Sequence, residues 1–322
     1  MVVRFGPADV GRRVTLRRRL LDAEPGGPSL GDVVGVLEHW SDGSLSVRRR
    51  TGEVVDVPLL AVVAGRVVAP EVSADDLARR ADDTWRPRES DSHGEWRLRA
   101  HGGVTHRPNS ALAVGDPGMP VAATLPAVRE WYVARGLPPN VMTPLPSPVA
   151  DTYRALGWRE ESRTLVMAAA LADLTVRADG APVALTDQPP VDWTAVLPRL
   201  RDPEVAPLYR ELLTGTAGAV FATARGTDGS ALAVARGAIS GGWMNLTNVE
   251  VVPEARRRGL ATAVIGTLGQ WAVAAGATHA FLQLWPDNEA GVRLYTALGF
   301  VPHHEYAYFV DPLADPQAVP RA

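Results

Sequence analysis

A run of arginines and small residues in the C-terminal half is the first feature that could do chemistry. Residues 256–261 follow an apolar stretch that ends at Pro253, and an amphipathic pattern begins directly after them. Because Gly259 and Ala261 are small, a ligand can approach the main chain closely at this point. The start of a helix presents unpaired N–H groups and the positive end of its dipole. The pattern therefore predicts a turn that binds a diphosphate.

A second candidate lies between the next predicted strand and the end of the next helix. Asn288 stands in the turn after the strand, Tyr295 lies on the helix, and Gly299 follows its last turn. A phenol with an ordinary pKa of about 10 stays protonated at neutral pH, so it can donate a proton to a leaving group. The alternative for Tyr295 is a packing role only.

Strands and helices alternate regularly around these two segments. A hairpin turn at residues 227–230 joins two apolar strands, and a third strand ends before Pro253, which cannot donate to a sheet ladder. A strand at 280–285 and a helix at 289–298 complete the pattern. The helix after the arginine run carries one apolar face, made of Leu260, Val264, Leu268, Trp271 and Ala275.

In this order and spacing, the two segments resemble the GNAT superfamily of N-acetyltransferases. Arg256, Gly259 and Ala261 fill the fixed positions of its pyrophosphate loop, Gln/Arg-x-x-Gly-x-Gly/Ala, and Asn288 and Tyr295 match its second signature. The resemblance covers residues 173–312. It implies transfer of an acetyl group from acetyl-CoA, as co-substrate and without a metal, to a primary amine of a small molecule or a protein.

The resemblance also implies which residues bind acetyl-CoA. The two strands before and after the amphipathic helix are expected to splay apart, so that backbone groups near Val249 and Val251 pair with pantetheine. A backbone N–H there would stabilise the oxyanion, and Asn288 is expected to bond near the pantetheine arm. The amides expected to hold the pyrophosphate are those of Arg257, Arg258, Gly259, Leu260, Ala261 and Thr262.

Two residues are the candidates for catalysis. Tyr295 occupies the position that protonates the departing thiolate in the superfamily. Some relatives carry a glutamate base where this chain has Gln283, and glutamine cannot accept a proton at neutral pH. Glu250 is the nearest alternative, and because side chains alternate along a strand it faces either the substrate cleft or solvent. A sensor that binds acetyl-CoA with little turnover is the competing hypothesis, which Tyr295 disfavours.

The first 68 residues have a different character. Short β-branched runs at 33–37, 45–47 and 54–57 are separated by turn residues, which predicts a small β-barrel of Src-homology-3-like layout. The arginine runs at 17–19 and 48–50 are either solvated strand faces or contacts for an acidic partner. Docking of a protein partner on this barrel is therefore one hypothesis.

The segment between these regions resembles the C-terminal half. Tyr153 lies in Tyr-Arg-Ala-Leu-Gly-Trp, which parallels the Tyr-Thr-Ala-Leu-Gly-Phe that begins at Tyr295. This predicts an α+β protein with a degenerate GNAT-like unit at 69–172 and a catalytic one at 173–322, in a tandem arrangement that resembles an actinobacterial histone-acetyltransferase-like family. The degenerate unit lacks the phosphate loop, and His101 and His106 are interpreted as ordinary hairpin residues. Loops such as 202–215 and this unit are expected to line the acceptor pocket.

Bulk composition limits the remaining possibilities. A chain of 322 residues fits two or three domains, and its formal net charge of −3 gives no basis for binding nucleic acid or a membrane surface. The absence of cysteine excludes disulfides, thiolate metal sites and a cysteine nucleophile. Because no signal peptide or membrane-spanning apolar run is present, a cytoplasmic protein is expected.

Overall fold

The chain forms two compact units, each with its own β-sheet. The computed structural model describes residues 2–20, 29–174 and 182–314. The first unit comprises Met1–Glu71 with Val301–His303, and the second comprises Val72–Phe300 with His304–Ala322. Parts of the predicted catalytic domain, 175–181 and 315–322, therefore lie outside the described residues.

The first unit is a six-stranded sheet in the order β1-β6-β2-β3-β4-β5. Its strands are β1 (Val2–Arg4), β2 (Arg13–Arg19), β3 (Leu30–Trp40), β4 (Ser44–Arg48), β5 (Val54–Pro58) and β6 (Val62–Val67). Alternate residues such as Leu45 and Val47 are buried because successive side chains point to opposite faces. The predicted strands are present. Among the described residues no pairing joins β1 to β5, so the sheet is not closed into the expected barrel.

The arginine runs of the first unit pair mostly with acidic residues of the same unit. Arg17 lies 2.9 Å from Asp32, and Arg49 lies 3.1 Å from Glu53. Arg48 pairs with Glu38 across neighbouring strands. Exposed pairs of this kind contribute little to stability because solvent screens them. These contacts favour the interpretation of the runs as solvated strand faces.

The second unit is a single eleven-stranded sheet with helices on it. Its first half contains α1 (Ala74–Asp83), β7 (Glu89–His93), β8 (Trp96–Ala100), β9 (Ala111–Leu112), α2 (Leu125–Val133), β10 (Asn140–Leu145), α3 (Pro148–Ala155) and β11 (Arg159–Ala170). Its second half contains β12 (Val183–Thr186), α4 (Val191–Val196), α5 (Ala206–Thr214), β13 (Val220–Arg225), β14 (Ala231–Ser240), β15 (Trp243–Val251), α6 (Leu260–Ala274), β16 (His279–Leu284), α7 (Glu289–Ala297) and β17 (Val301–Val310).

The two halves of this sheet exchange their last strands. The strand order is β12-β13-β14-β15-β16-β11-β17-β10-β9-β8-β7. β11, from the first half, pairs antiparallel with β16, and β17, from the second half, pairs antiparallel with β10. The division at residue 172 stays a prediction, but a cut there would separate strands that are hydrogen-bonded to each other.

The helix predicted after the arginine run is α6, which packs across β13, β14 and β15. Leu260, Val264 and Leu268 are buried in the core beneath it, as the apolar face requires. A Gly in the left-handed conformation, Gly276 with φ +85°, follows the helix end. This packing fixes where the first turn of α6 lies relative to the end of β15.

The stretch at 202–215, which the sequence predicts as a loop, is mostly the helix α5. Pro207 lies in the first turn, where the missing N–H costs nothing. Leu212 and Leu213 are fully buried against β13 and β14 residues, so tertiary packing selects a helix here. The helix carries Tyr209 toward the site described below.

Candidate active site

The sheet opens between β15 and β16. The parallel pairing of these strands runs from Trp243 opposite His279 to Leu246 opposite Leu282. β15 continues to Val251 and β16 to Leu284, and among the described residues no pairing between them continues past Leu246. A pocket of about 330 Å3 occupies the opening.

A β-bulge in β15 lies at the edge of this opening. Thr247 pairs with Arg236 and Glu250 pairs with Val234, so two residues of β15, Asn248 and Val249, lie opposite one residue of β14. Asn248 adopts a left-handed φ of 56°, and its Nδ2 donates to the Tyr209 hydroxyl at 2.6 Å. The bulge takes the backbone of Val249 out of register with β14 and leaves Val249 lining the pocket.

The turn that precedes α6 leaves main-chain donors unused. Arg257 has a φ of 64° and Gly259, at the N-cap, a φ of 78°, both left-handed. Gly259 has no side chain to cap the helix, and the helical bonds begin with Ala263 N–H donating to the Gly259 carbonyl at 3.0 Å. The amides of Leu260, Ala261 and Thr262 therefore precede the first helical bond, at the turn where the sequence predicts that a diphosphate binds.

The arginines of this turn differ in their partners. Arg257 and Arg258 are exposed, and neither makes an ion pair within the described part of the chain. Arg256 instead lies 3.5 Å from Glu250 and donates from Nε to the Val251 carbonyl at 3.3 Å. Arg257 and Arg258 are thus available to an anion, whereas Arg256 and the Val251 carbonyl are already bonded.

Tyr295 lies on α7 and lines the pocket. Its ring packs edge-on against Phe300, with centroids 5.9 Å apart. Its hydroxyl has no hydrogen-bond partner among the described residues. Burial raises the pKa of the phenol, and the negative charge of Glu250 raises it further. The side chain is therefore a protonated donor across the neutral range.

Glu250 lies just outside the pocket, with 33% of its side chain exposed. It is paired with Arg256 and is not among the described residues that line the opening. Its charge still acts on the phenol of Tyr295.

Asn288 and Gln283 also line the pocket, and each side chain makes one hydrogen bond among the described residues. Asn288 is the N-cap of α7, where its Oδ1 accepts from the Gly291 amide at 2.9 Å. Its Nδ2 remains as a donor. The Gln283 Oε1 accepts from the Tyr306 hydroxyl at 2.9 Å. Capping of α7 by Asn288 is not among the expectations from the sequence.

The far wall of the pocket comes from residues that the sequence analysis does not single out as functional. His106 and Arg107 follow β8, Tyr209 lies on α5, and Tyr306 and Tyr308 lie on β17. The sequence predicts that residues 202–215 and the neighbouring half line the pocket. That prediction includes His106, Arg107 and Tyr209 only as members of these regions. No motif marks the two tyrosines, because strand exchange brings them there.

His106, which the sequence predicts to be an ordinary hairpin residue, is buried in this wall. It stacks on Tyr308 with ring centroids 4.8 Å apart, and its Nδ1 lies 3.0 Å from Asn140 Nδ2. Burial lowers its pKa to about 4; the charge of Arg199 acts in the same direction, whereas Glu161 opposes it. The imidazole is therefore neutral at pH 7, and the wall gains no charge from it.

Neither a metal-binding cluster nor a membrane-spanning helix occurs in the described part of the chain. Among the described residues no group of three or more His, Asp or Glu side chains is arranged to hold a metal ion. Within the same residues, every helix is too short or too polar to cross a bilayer.

The opened sheet, the bulge and the glycine turn before α6 together define the GNAT fold. A solved GCN5-related N-acetyltransferase from Kribbella flavida is similar to this chain, with 22% identity, a TM-score of 0.54, and coverage of 77% of this chain and 99% of that one. A tandem GNAT protein from the clavulanic acid biosynthesis pathway is similar at 16% identity and a TM-score of 0.52, covering 77% and 90%. Both show the fold.

Sequence comparisons identify the family to which the chain belongs. The family model described as "Probable histone acetyltransferase Rv0428c C-terminal" matches residues 75–309, and "Rv0428c N-terminal Sm-like domain" matches residues 8–66. The Bacillus subtilis (strain 168) protein designated uncharacterized N-acetyltransferase YobR is 26% identical over 239 residues, 72% of this chain and 96% of that protein. Because the first of these models matches more than half of the chain, the chain belongs to the family that it describes. The predicted resemblance and the α+β fold are confirmed.

Proposed function

We propose that this protein transfers the acetyl group of acetyl-CoA to a primary amine by direct attack of the amine on the thioester. The observations that carry the proposal are the opening beyond Leu246 and Leu282, with the Tyr295 phenol in its wall, and the first turn of α6, whose N-cap Gly259 has no side chain to bond the leading amides. An elongated ligand with an anionic end and a reactive end fits this arrangement.

Each part of acetyl-CoA then has a counterpart in the chain. The pyrophosphate takes the amides of residues 257–262, where the helix dipole and two exposed arginines favour negative charge. The pantetheine arm lies along β15, near Val249 and Val251, with Asn288 Nδ2 as a further donor. A backbone N–H next to the bulge stabilises the charge that develops on the thioester oxygen.

The reaction balances with three proton transfers. Glu250 takes a proton from the acceptor ammonium through water, and the neutral amine attacks the acetyl carbon to give a tetrahedral intermediate with one surplus proton on nitrogen. The C–S bond breaks, the thiolate of CoA takes the phenolic proton of Tyr295, and the surplus proton on nitrogen returns to the phenolate through water. The products are an N-acetyl amide and CoA, and Glu250 releases its proton to solvent. This assigns the general acid and the general base to different elements, α7 and β15.

Binding and turnover measured together test this function. We expect acetyl-CoA to bind with one-to-one stoichiometry in calorimetry, and free CoA thiol to appear only when an amine is added. Binding of acetyl-CoA without CoA release across a broad set of amines would instead identify a sensor. If acetyl-CoA does not bind, the proposal is wrong.

Replacing the proposed base gives a more specific test. Glu250→Gln should lower kcat by about a hundredfold or more below the pKa of the acceptor amine, because the ammonium then has no base. At a pH above that pKa the loss should shrink, since neutral amine is already present, and acetyl-CoA affinity should not change. Glu254→Gln, an exposed neighbour, is the matched control. A loss that is equal at all pH values would exclude Glu250 as the base.

A further inference from the structure

The pocket contains positive charge that the protein does not neutralise. Arg107 lines it and donates from Nη2 to the Tyr306 hydroxyl at 3.2 Å. Its Nε is buried without a partner, and no carboxylate pairs with it among the described residues. Arg199, on the short turn Pro198–Arg201, also lines the pocket and has no ion pair within the same residues.

A third cation lies directly behind the wall. Arg236 is fully buried, and its guanidinium carbon is 5.1 Å from the ring centroid of Trp85, which lines the pocket. Nε donates to the Leu213 carbonyl, but Nη1 and Nη2 have no hydrogen-bond partner among the described residues. Burial lowers its pKa to about 10, so the side chain is still a cation at pH 7.

This arrangement is costly unless an anion completes it. A buried charge without a partner destabilises a protein by several kcal/mol, and opposite charge is the usual compensation. Among the described residues that line the pocket, the charged ones are both arginines, and no Asp or Glu is present. An acceptor that carried only ammonium groups would add like charge to this wall.

Gln283 keeps the positive charge available. The Tyr306 hydroxyl links Arg107 to the Gln283 Oε1 through two successive hydrogen bonds. A glutamate at position 283 would place a carboxylate at the end of this hydrogen-bonded group and would neutralise Arg107 from within. With glutamine, the net charge of the three side chains stays positive.

We propose that the acceptor is an amine that also carries a carboxylate, which Arg107 binds with help from Arg199. This rests on the proposed function, because it places the acceptor between Arg107 and the acetyl group. The carboxylate compensates the cationic wall and holds the molecule, while the amino group points to the opening beside Val249. Carboxylate recognition by arginine through paired N–H donors is strong and directional.

Matched pairs of small amines test the proposal without knowledge of the natural acceptor. The probes are L-phenylalanine with 2-phenylethylamine, and β-alanine with ethylamine, titrated into the CoA-loaded protein by calorimetry and assayed for CoA release from acetyl-CoA. We expect each acid to bind at least about tenfold more tightly than its partner that lacks the carboxylate. Phosphoethanolamine with ethanolamine forms the second arm, and a preference there without one for the carboxylates would overturn the assignment.

Two variants localise the effect. Arg107→Met should reduce the preference for the acids by about tenfold to a hundredfold, through weaker binding of the acids, and should not weaken the binding of the plain amines or of acetyl-CoA. Gln283→Glu should reduce the same preference by supplying an internal carboxylate. Arg163→Met, an exposed arginine outside the pocket, is the control. Acids that bind no better than amines, or equal losses for both members of a pair, would refute the proposal.

The outcomes separate this inference from the function itself. If acetyl-CoA does not bind the wild-type protein, the proposed function fails whatever the amines do. If it binds and plain amines are the better acceptors, only the carboxylate assignment fails. Should Arg107→Met lose acetyl-CoA binding through misfolding, Gln283→Glu and Arg199→Met still decide the question.

Discussion

Gly259→Asp should weaken acetyl-CoA binding by about a hundredfold, whereas Gly259→Asn should weaken it much less. A β-carbon at this position would meet no atom within 4 Å, so either side chain has room. Both residues tolerate the left-handed φ of 78° better than other non-glycine residues do. The two side chains differ in charge. A carboxylate about 4 Å from a phosphate raises the free energy of the complex by about 4 kcal/mol through repulsion, at an effective dielectric constant of 20. If the Asp side chain moves partly away from the phosphate, about 3 kcal/mol remains, which is the expected hundredfold loss of affinity.

The other end of the same helix supplies the control. Gly276 is also left-handed, with φ +85° and open space around its β-carbon position. Gly276→Asp and Gly276→Asn should bind acetyl-CoA like the wild type, since the predicted anion lies at the opposite end of α6. Calorimetric titration of all four variants makes the comparison. If Asp and Asn at 259 have equal effects, the diphosphate is not bound at this turn.

Tyr295→Phe should lower kcat by about a hundredfold to a thousandfold and leave the affinity for acetyl-CoA unchanged. Phenylalanine preserves the packing against Phe300 and removes only a hydroxyl that no described residue bonds. The thiolate of CoA then leaves without a proton donor. Initial rates of CoA release at saturating substrates, with the dissociation constant from calorimetry, separate the two effects.

The corresponding tyrosine of the first half is the matched control. Tyr153 is fully buried among Trp158 and Phe309. Tyr153→Phe should leave kcat unchanged. Because burial and Glu250 raise the pKa of Tyr295, the phenol stays protonated as the pH rises to about 10, and ionisation of Tyr295 should cause no loss of rate in that range. Equal losses in the two variants, or a loss of rate with an apparent pKa near 9, would contradict this role.

The sequence predicts the parts of the site that depend on local spacing. The turn at 256–261, the helix after it and the tyrosine on α7 follow from small residues, apolar periodicity and order along the chain. Each of these patterns spans only a few residues. Turn geometry and helix capping depend on the same few residues. The position of the anion site is therefore a local property that the amino-acid sequence alone predicts.

The rest of the site depends on contacts between distant segments. Tyr306 reaches the pocket because β17 pairs with β10, whose residues lie far earlier in the chain, and no local pattern encodes that pairing. The bulge at Asn248 breaks the strand alternation on which the expected orientation of Glu250 depends, so that Leu246, Thr247, Asn248 and Val249 all line the pocket. The unclosed sheet of the first unit is likewise a matter of long-range pairing.

Because the two halves exchange strands, neither half can be lost in evolution without an effect on the other. Without β11, the edge of β16 would be left unpaired, and without β17, β10 would lose its neighbour on that side. Each half is therefore incomplete alone, and loss of one gene segment would expose sheet edges in the other. The first half therefore contributes to the fold of the second by supplying β11, which covers an edge of β16.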